Sequence, residues 1–195
     1  MRKIGITGGI GSGKTTICKI FELQNIPVFY ADQQAKDTMH TDTLLMEEIK
    51  AHFGNDIYSQ QGVLNRSKLA SIVFSDSEKL KKLNSLVHPA VFRAFDAWVE
   101  EQNAPYVLKE AALLFESGSY KDCDFKILVK SPEHLKMSRI VQRDLITEAE
   151  VKRRMDQQWS DEQKETLSDY ILLNDEQELL IPQVLELHNN FLTAH

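Results

Sequence analysis

The sequence predicts an α/β fold in which a parallel sheet carries helices on both faces. Strand-like and helix-like segments alternate along the 195 residues, which is the pattern that parallel strands with crossover helices produce. A glycine-rich turn also joins the first strand candidate to the first helix candidate. The length fits a single domain with insertions, since domains typically run to about 100–200 residues.

Five short apolar runs are predicted to be strands. They cover residues 3–7, 26–30, 106–108, 125–129 and 169–173. Pro27 restricts the second of them to a strand start or a sheet edge, because proline has no N–H to donate. The last helix is predicted to begin near Pro182, since proline is tolerated in a first turn.

The long gap between the second and third strand candidates is predicted to be helical. Ser75 is predicted to cap one helix, with Glu78 reaching back to it. Pro89 is predicted to begin a further helix. The aromatic residues of that helix recur every three to four positions, which favours a core face over a platform for stacking bases.

The turn after the first strand candidate fits the pattern G-x-x-x-x-G-K-[ST] at residues 8–15, here called the phosphate loop. Glycines let backbone approach an anion, and the N–H groups at a helix start attract it. Lys14 supplies a charge for terminal phosphates, and the Thr15 hydroxyl is placed to ligate Mg²⁺. The residues expected to contact a nucleoside phosphate here are Gly9, Ile10, Gly11, Ser12, Gly13, Lys14, Thr15 and Thr16.

Composition limits the classes of partner. The net charge is −6 and the pI about 5.5, which disfavours nucleic acid or a membrane surface because such partners usually require basic excess. Cys18 and Cys123 lie outside any C-x-x-C pair and are expected to be two buried thiols in a reducing compartment. No targeting segment or long apolar run is evident, so we expect a cytoplasmic location.

Asp32 is the candidate catalytic base. It follows the second strand candidate, and ligands bind at the carboxyl ends of parallel strands, so it should share an edge with the phosphate loop. A carboxylate there can accept the proton of an acceptor hydroxyl or orient it for attack. The alternative is that Asp32 caps a helix from Gln33, and the two roles are compatible.

Two arginine-bearing helices follow the fourth strand candidate. Arg139 and Arg143 are four residues apart and share a helix face. Thr147 and Glu150 form a capping box that begins the second helix. The hairpin is predicted to fold over the phosphate site, because the guanidinium fork matches phosphate oxygens. The alternative is two solvated basic faces.

These features favour a small-molecule kinase with a core, an acceptor-binding insertion and a lid. The guanine-reading motif N/T-K-x-D is absent from the sequence, and residues 107–110 match the acidic strand of motor and transporter ATPases poorly. Lid closure would exclude water, which competes with the intended acceptor. Another kinase, such as a nucleotide kinase, and a nucleotide-dependent switch or binding module remain as alternatives.

Taken together, the motifs resemble the dephospho-CoA kinase family nearly end to end. The matching segments are residues 5–15, 31–32, 64–66, 72–74, 88–89, 113–116, 139, 143–144, 154–158, 168–171 and 174. The resemblance implies a P-loop kinase fold with a five-stranded parallel sheet in the order 2-3-1-4-5. It also implies phosphorylation of the ribose 3′-hydroxyl of dephospho-CoA by ATP with Mg²⁺, the final step of coenzyme A biosynthesis.

The resemblance implies roles for individual residues. It implies Asp32 as base, Lys14 and Thr15 at the phosphates and Mg²⁺, and Asn174 near adenine. Arg139, Arg143 and Arg154 would belong to the lid. The residues expected to bind the acceptor are Asp32, Arg66, His88, Leu113 and Glu116. The His88 side chain would contact the acceptor phosphates or hydrogen-bond the turn before Pro89.

The resemblance also implies a division of the single domain. The core would comprise residues 1–57, 103–138 and 159–195, the acceptor insertion 58–102 and the lid 139–158. The sequence departs from the family pattern at three places. Tyr30 replaces the first acidic residue of D-A-D, residues 110–112 read Glu-Ala-Ala in place of D-x-P, and Glu176 stands where a glycine is expected. Loss of the proline is expected to change the strand exit, and Glu176 is expected to hinder a close backbone approach to adenine.

Overall fold

The computed structural model describes residues 1–193, except for the side chain of Phe74. The strands are β1 (Arg2–Thr7), β2 (Val28–Tyr30), β3 (Tyr106–Glu110), β4 (Phe125–Lys130) and β5 (Tyr170–Leu173). They form one parallel sheet in the order β2-β3-β1-β4-β5, which confirms the predicted fold class and strand order. β2 begins after Pro27, which has no N–H for the ladder but accepts a hydrogen bond from Leu108 N at 2.9 Å.

Helices cover most of the remaining described chain. They are α1 (Lys14–Leu23), α2 (Ala31–Thr41), α3 (Thr43–Phe53), α4 (Arg66–Phe74), α5 (Ser77–Glu100), α6 (Glu133–Asp144), α7 (Glu148–Met155), α8 (Asp161–Glu165) and α9 (Leu180–Thr193). Short 3-10 helices cover Asn55–Ile57 and Ser119–Asp122. Within residues 1–193, no helix is both long and apolar enough to cross a membrane.

Internal contacts divide the chain into two compact units. The first contains Met1–Tyr30 and the chain from Gln102 onward, and the second contains Ala31–Glu101. The predicted acceptor segment 58–102 falls almost entirely within the second unit, and its binding role stays a prediction. Residues 194 and 195 of the predicted core, and the Phe74 side chain of the acceptor-domain motif, lie outside the described part of the chain.

The sheet of the first unit positions the phosphate loop. Ile4 and Ile6 of β1 are fully buried and belong to a core that includes Phe21 of α1 and Phe191 of α9. In register, Ile6 pairs with Glu110 of β3. The carboxyl ends of β1 and β3 therefore lie at the same edge of the sheet, and the phosphate loop follows β1 at that edge.

His188 has a structural partner that no sequence pattern indicated. Its Nδ1 lies 2.7 Å from the Tyr106 hydroxyl, between α9 and β3. The hydroxyl is part-buried there, and burial raises the Tyr106 pKa. A hydrogen-bond partner at this position offsets the cost of burying the phenol oxygen.

Two predictions about the α5 region are wrong. Asp76, not Ser75, caps α5, and its carboxylate accepts hydrogen bonds from the backbone N–H groups of Glu78 and Lys79. Pro89 lies inside α5 and begins no helix. The helix continues through the proline because the apolar face on both sides of it is buried, and that packing outweighs one lost backbone hydrogen bond.

Other local predictions are confirmed. The capping box of Thr147 and Glu150 begins α7, and Pro182 lies in the first turn of α9. The expectation of a buried thiol is correct for Cys18, whereas Cys123 is only partly buried. Burial raises the pKa of both thiols, to about 11 for Cys123.

Candidate active site

The phosphate loop depends on two glycines with positive φ. Gly13 caps α1 at φ 92°, and a Cβ there would lie 2.1 Å from Asn174 Nδ2. That amide donates to the Ser12 carbonyl at 2.8 Å, so Asn174 ties the end of β5 to the loop. Gly11 has φ 80°, and a Cβ there would lie 2.6 Å from the Lys136 carbonyl oxygen. Backbone conformation and lack of space both require glycine at these positions.

The Lys14 ammonium is held across the phosphate loop. It is nearly buried and donates to the carbonyl oxygens of Gly8 at 2.8 Å and Gly9 at 3.3 Å. The following residues, Thr15 and Thr16, are exposed in the first turn of α1. This arrangement places the lysine charge and an accessible hydroxyl at the start of one helix, as a nucleoside-phosphate site requires.

Two further contacts shape the loop. The backbone N–H of Ile10 donates to Gln158 Oε1 at 2.8 Å, so the segment after α7 reaches the loop. The Ser12 hydroxyl oxygen is buried and has no hydrogen-bond partner among the described residues. A buried hydroxyl of this kind is available to a ligand that enters the loop.

Arg139 lies against the phosphate loop, and its role in a lid stays a prediction. Its guanidinium group donates to Ser131 Oγ at 3.0 Å and to Glu176 Oε1 at 2.9 Å, with longer contacts to the carbonyl oxygens of Gly11 and Asn174. The structure therefore brings Arg139 and Asn174, which are 35 residues apart, together at the loop.

Glu176, which stands where the family pattern has glycine, keeps a glycine-like backbone. Its φ is 65°, in the left-handed region, which costs a non-glycine residue about 1–2 kcal/mol. Its carboxylate forms an ion pair with Arg139 at 2.9 Å. Glu176 thus combines a left-handed backbone, which glycine adopts readily, with an acidic partner for the arginine.

The other two arginines of the predicted lid, Arg143 of α6 and Arg154 of α7, share the carboxylate of Asp144 at the end of α6. Arg143 Nε donates to Asp144 Oδ1 at 2.7 Å, and Arg154 NH1 donates to Asp144 Oδ2 at 2.8 Å. Hydrogen bonds and charge from Arg143 and then Arg154 hold the Asp144 pKa below its usual range. In this structure both guanidinium groups lie on the α6–α7 hairpin, and their contacts within the described chain are to Asp144.

Glu116 contacts the segment between α7 and α8 and a lysine of α8. Its Oε1 accepts a hydrogen bond from Trp159 N at 2.9 Å and lies 3.2 Å from the fully buried Lys164 ammonium. The second oxygen, Oε2, is buried without a hydrogen-bond partner among the described residues. Nearby Leu113 is exposed. Glu116 therefore combines an anchoring contact with a free acceptor.

One ion pair at the loop was missed by sequence reasoning. Lys136 Nζ and Asp161 Oδ2 lie 2.8 Å apart, with side chains only 10% and 13% exposed. They border a cavity of about 430 Å³ that also contacts Gly9, Lys152, Asp156 and Gln158. A signal was present, because Lys136 is four residues before the buried Ile140 and so shares its helix face.

The second unit contains the candidate base and two candidate acceptor residues. Asp32 is exposed as the second residue of α2, so it lies inside the first turn and does not cap a helix from Gln33. It follows Tyr30, the last residue of β2, by one intervening residue. Arg66 begins α4 and is exposed, with its guanidinium 3.3 Å from His40 Nε2.

His88 lies within the continuous α5 helix. Its ring is half-buried and stacks on Phe92 with the ring centroids 6.4 Å apart. Burial lowers the His88 pKa. The alternative in which His88 bonds a turn before Pro89 is wrong, because no turn interrupts the helix there.

The chain is similar to one protein family over most of its length. The family model for dephospho-CoA kinase matches residues 2–179. A protein named dephospho-CoA kinase from Salinibacter ruber is 38% identical over 178 residues, which span 90% of this chain and 89% of the relative.

Two solved structures share the fold over nearly the whole chain. TT1252 from Thermus thermophilus has a TM-score of 0.86 and 32% identity, with 99% of this chain and 98% of that chain covered. Dephospho-CoA kinase from Campylobacter jejuni has a TM-score of 0.69 and 25% identity, with 97% of each chain covered. The chain therefore belongs to the dephospho-CoA kinase family.

Proposed function

We propose that this protein transfers the terminal phosphoryl group of ATP to the ribose 3′-hydroxyl of dephospho-CoA. The products are CoA and ADP, and the reaction is the final step of coenzyme A biosynthesis. The observation that carries the proposal is the family match over residues 2–179, which spans the phosphate loop, the acceptor segment and the lid. The geometry of the phosphate loop supports ATP as the donor.

On the donor side, the phosphate loop and Lys14 bind the β- and γ-phosphates. Backbone N–H groups at the start of α1 and the Lys14 ammonium face negative charge that spreads over the phosphate oxygens during transfer. Arg139 already lies at the loop and offers a planar fork of donors. Preorganised charge of this kind stabilises the transition state without reorganisation.

On the acceptor side, Asp32 serves as the base. Its carboxylate is exposed and follows the end of β2, at the sheet edge where ligands bind in parallel sheets. It accepts the proton as the 3′-oxygen forms a bond to the γ-phosphorus, and the bond from that phosphorus to the β–γ bridging oxygen breaks. Arg66, His88, Leu113 and Glu116 bind the acceptor, and Glu116 Oε2 offers a buried hydrogen-bond acceptor.

The residues present fit Mg²⁺. Thr15 offers an exposed hydroxyl, and Glu110 places a carboxylate at the end of β3, in register with Ile6 of β1. Within the described chain no three His, Cys, Asp or Glu side chains cluster as a metal cage, and Mg²⁺ commonly uses one or two protein oxygens with phosphate and water. When bound, the ion neutralises phosphate charge.

Residues 139–158 act as a lid that excludes water from the transferred phosphoryl group. A cytoplasmic location suits the small-molecule substrates ATP and dephospho-CoA. Nucleic acid and membrane surfaces are not partners on this proposal, in keeping with the net charge of −6.

An ADP-release assay tests the function. ADP release from ATP is measured with dephospho-CoA, AMP or pantetheine as acceptor. We expect stimulation by dephospho-CoA alone. Stimulation by AMP would indicate a nucleotide kinase, and nucleotide binding without stimulation by any acceptor would indicate a switch or binding module.

A further inference from the structure

A second lysine, nearly buried, borders the phosphate loop. Lys136 Nζ lies 3.4 Å from the position that a Cβ on Gly9 would occupy. The Lys14 ammonium donates to the Gly9 carbonyl oxygen at 3.3 Å. Two ammonium groups therefore approach the same residue of the loop, one from α1 and one from α6.

Asp161 holds the second lysine in place. Its Oδ2 accepts from Lys136 Nζ at 2.8 Å, and its Oδ1 is 3.5 Å from the same Cβ position on Gly9. An ammonium group has three donors, and Asp161 is its hydrogen-bond acceptor among the described residues. Two donors thus remain for a ligand in the 430 Å³ cavity that Gly9 and Lys136 share.

A contribution to folding stability does not by itself explain why the chain has the Lys136–Asp161 ion pair. Removing two charges from water is costly, and apolar side chains of similar volume often stabilise a fold equally well. The pair also lies beside a loop built to hold phosphate. A lysine beside a phosphate supplies charge that an apolar residue lacks.

We propose that Lys136 is a phosphate-binding residue that supplements Lys14, and that Asp161 is the positioning residue that holds its ammonium beside Gly9. The Lys136 ammonium donates to an oxygen of the terminal phosphate of ATP, while Asp161 keeps the side chain extended toward the loop. This inference rests on the proposed function only in taking ATP as the donor nucleotide.

Nucleotide binding to the full chain, measured without acceptor, tests the proposal. The Kd of the non-hydrolysable imido analogue of ATP and the Kd of ADP are measured by calorimetry with Mg²⁺. Lys136→Met is expected to weaken binding of the ATP analogue by about tenfold and ADP less, because a charge facing the terminal phosphate is lost. Lys126→Met is the matched control, since Lys126 also forms an ion pair, with Asp169 at 2.8 Å, at the opposite end of β4.

Asp161→Asn distinguishes the charge of the Lys136 ammonium from the ion pair that it forms. It breaks the same ion pair but keeps the ammonium, so it should weaken binding of the ATP analogue less than Lys136→Met does. Equal loss of ATP-analogue and ADP binding in Lys136→Met, or equal weakening of ATP-analogue binding by Lys136→Met and the control Lys126→Met, would assign the pair a purely structural role and overturn the proposal. If Lys136→Met fails to fold, Lys136→Gln replaces it, because its amide can still donate to Asp161.

The outcome is independent of the acceptor. Stimulation of wild-type ADP release by dephospho-CoA is scored separately, so loss of the proposed function leaves the calorimetric result interpretable. An unfolding midpoint for each variant shows whether altered affinity follows altered stability.

Discussion

Replacement of Gly13 by alanine is expected to damage both the fold and nucleotide binding. Gly13 has φ 92°, and the added methyl group would lie 2.1 Å from Asn174 Nδ2. Asn174 must then move and lose its 2.8 Å hydrogen bond to the Ser12 carbonyl. One methyl group therefore disturbs the link between the end of β5 and the phosphate loop.

Three contributions determine how much stability Gly13→Ala loses. The left-handed backbone costs alanine about 1–2 kcal/mol. Loss of the hydrogen bond from Asn174 adds about 0.5–1.5 kcal/mol, and local overpacking adds about 1 kcal/mol or more. We expect the free energy of unfolding to fall by about 3 kcal/mol, and ATP affinity to fall by at least about tenfold because the loop shifts.

Urea unfolding and nucleotide calorimetry measure these effects. Gly118→Ala is the control, since Gly118 has φ 77° but a Cβ there would meet nothing within 4 Å, so only the backbone penalty of about 1–2 kcal/mol applies. In an Asn174→Ala background the clash disappears, so Gly13→Ala should then cost about as much as the control. Equal losses for Gly13→Ala and Gly118→Ala in the wild-type background would refute the reasoning.

Three other substitutions test separate parts of the site. Asp32→Asn is expected to retain ATP binding while ADP release with dephospho-CoA falls by about 100-fold or more, as loss of a catalytic base predicts; turnover near wild type would show that Asp32 is not the base. Glu176→Gln removes the carboxylate paired with Arg139, so ATP affinity should rise by about threefold; unchanged affinity would show that Glu176 does not compete with phosphate. Burial lowers the His88 pKa in the folded state, so the unfolded state binds a proton at higher pH than the folded state does. The free energy of unfolding should therefore decrease as the pH falls from about 6.5 toward the lower pKa of the folded state. His88→Gln should flatten this dependence in urea unfolding at several pH values, and an unchanged slope would contradict the assignment.

Local pattern was sufficient for much of the fold and for the donor half of the site. The phosphate loop is a continuous stretch whose glycines and lysine act through adjacent backbone, so its position and chemistry follow from short-range constraints. The five apolar runs predicted all five strands of the described sheet, because buried parallel strands are nearly continuous in apolar residues. The strand order required the family resemblance, since periodicity carries no information on which strands pair.

Helix boundaries show where local rules reach their limit. Pro89 satisfies the rule for a helix start, yet α5 passes through it. The helix continues because its apolar face is buried on both sides of the proline, and this tertiary packing outweighs the local preference for a break. Cys123 likewise gave no sequence signal that it would be only partly buried.

The sequence by itself determined that a glycine-rich loop, a lysine and a strand–helix alternation form a phosphate site, because these features act over a few residues. Tertiary structure decided which distant side chains support that loop. The contacts of Asn174 with Ser12, of Arg139 with Glu176 and of Lys136 with Asp161 join residues 162, 37 and 25 positions apart. Such pairs form only when the sheet brings strand ends together, so the periodicity of a short segment cannot predict them.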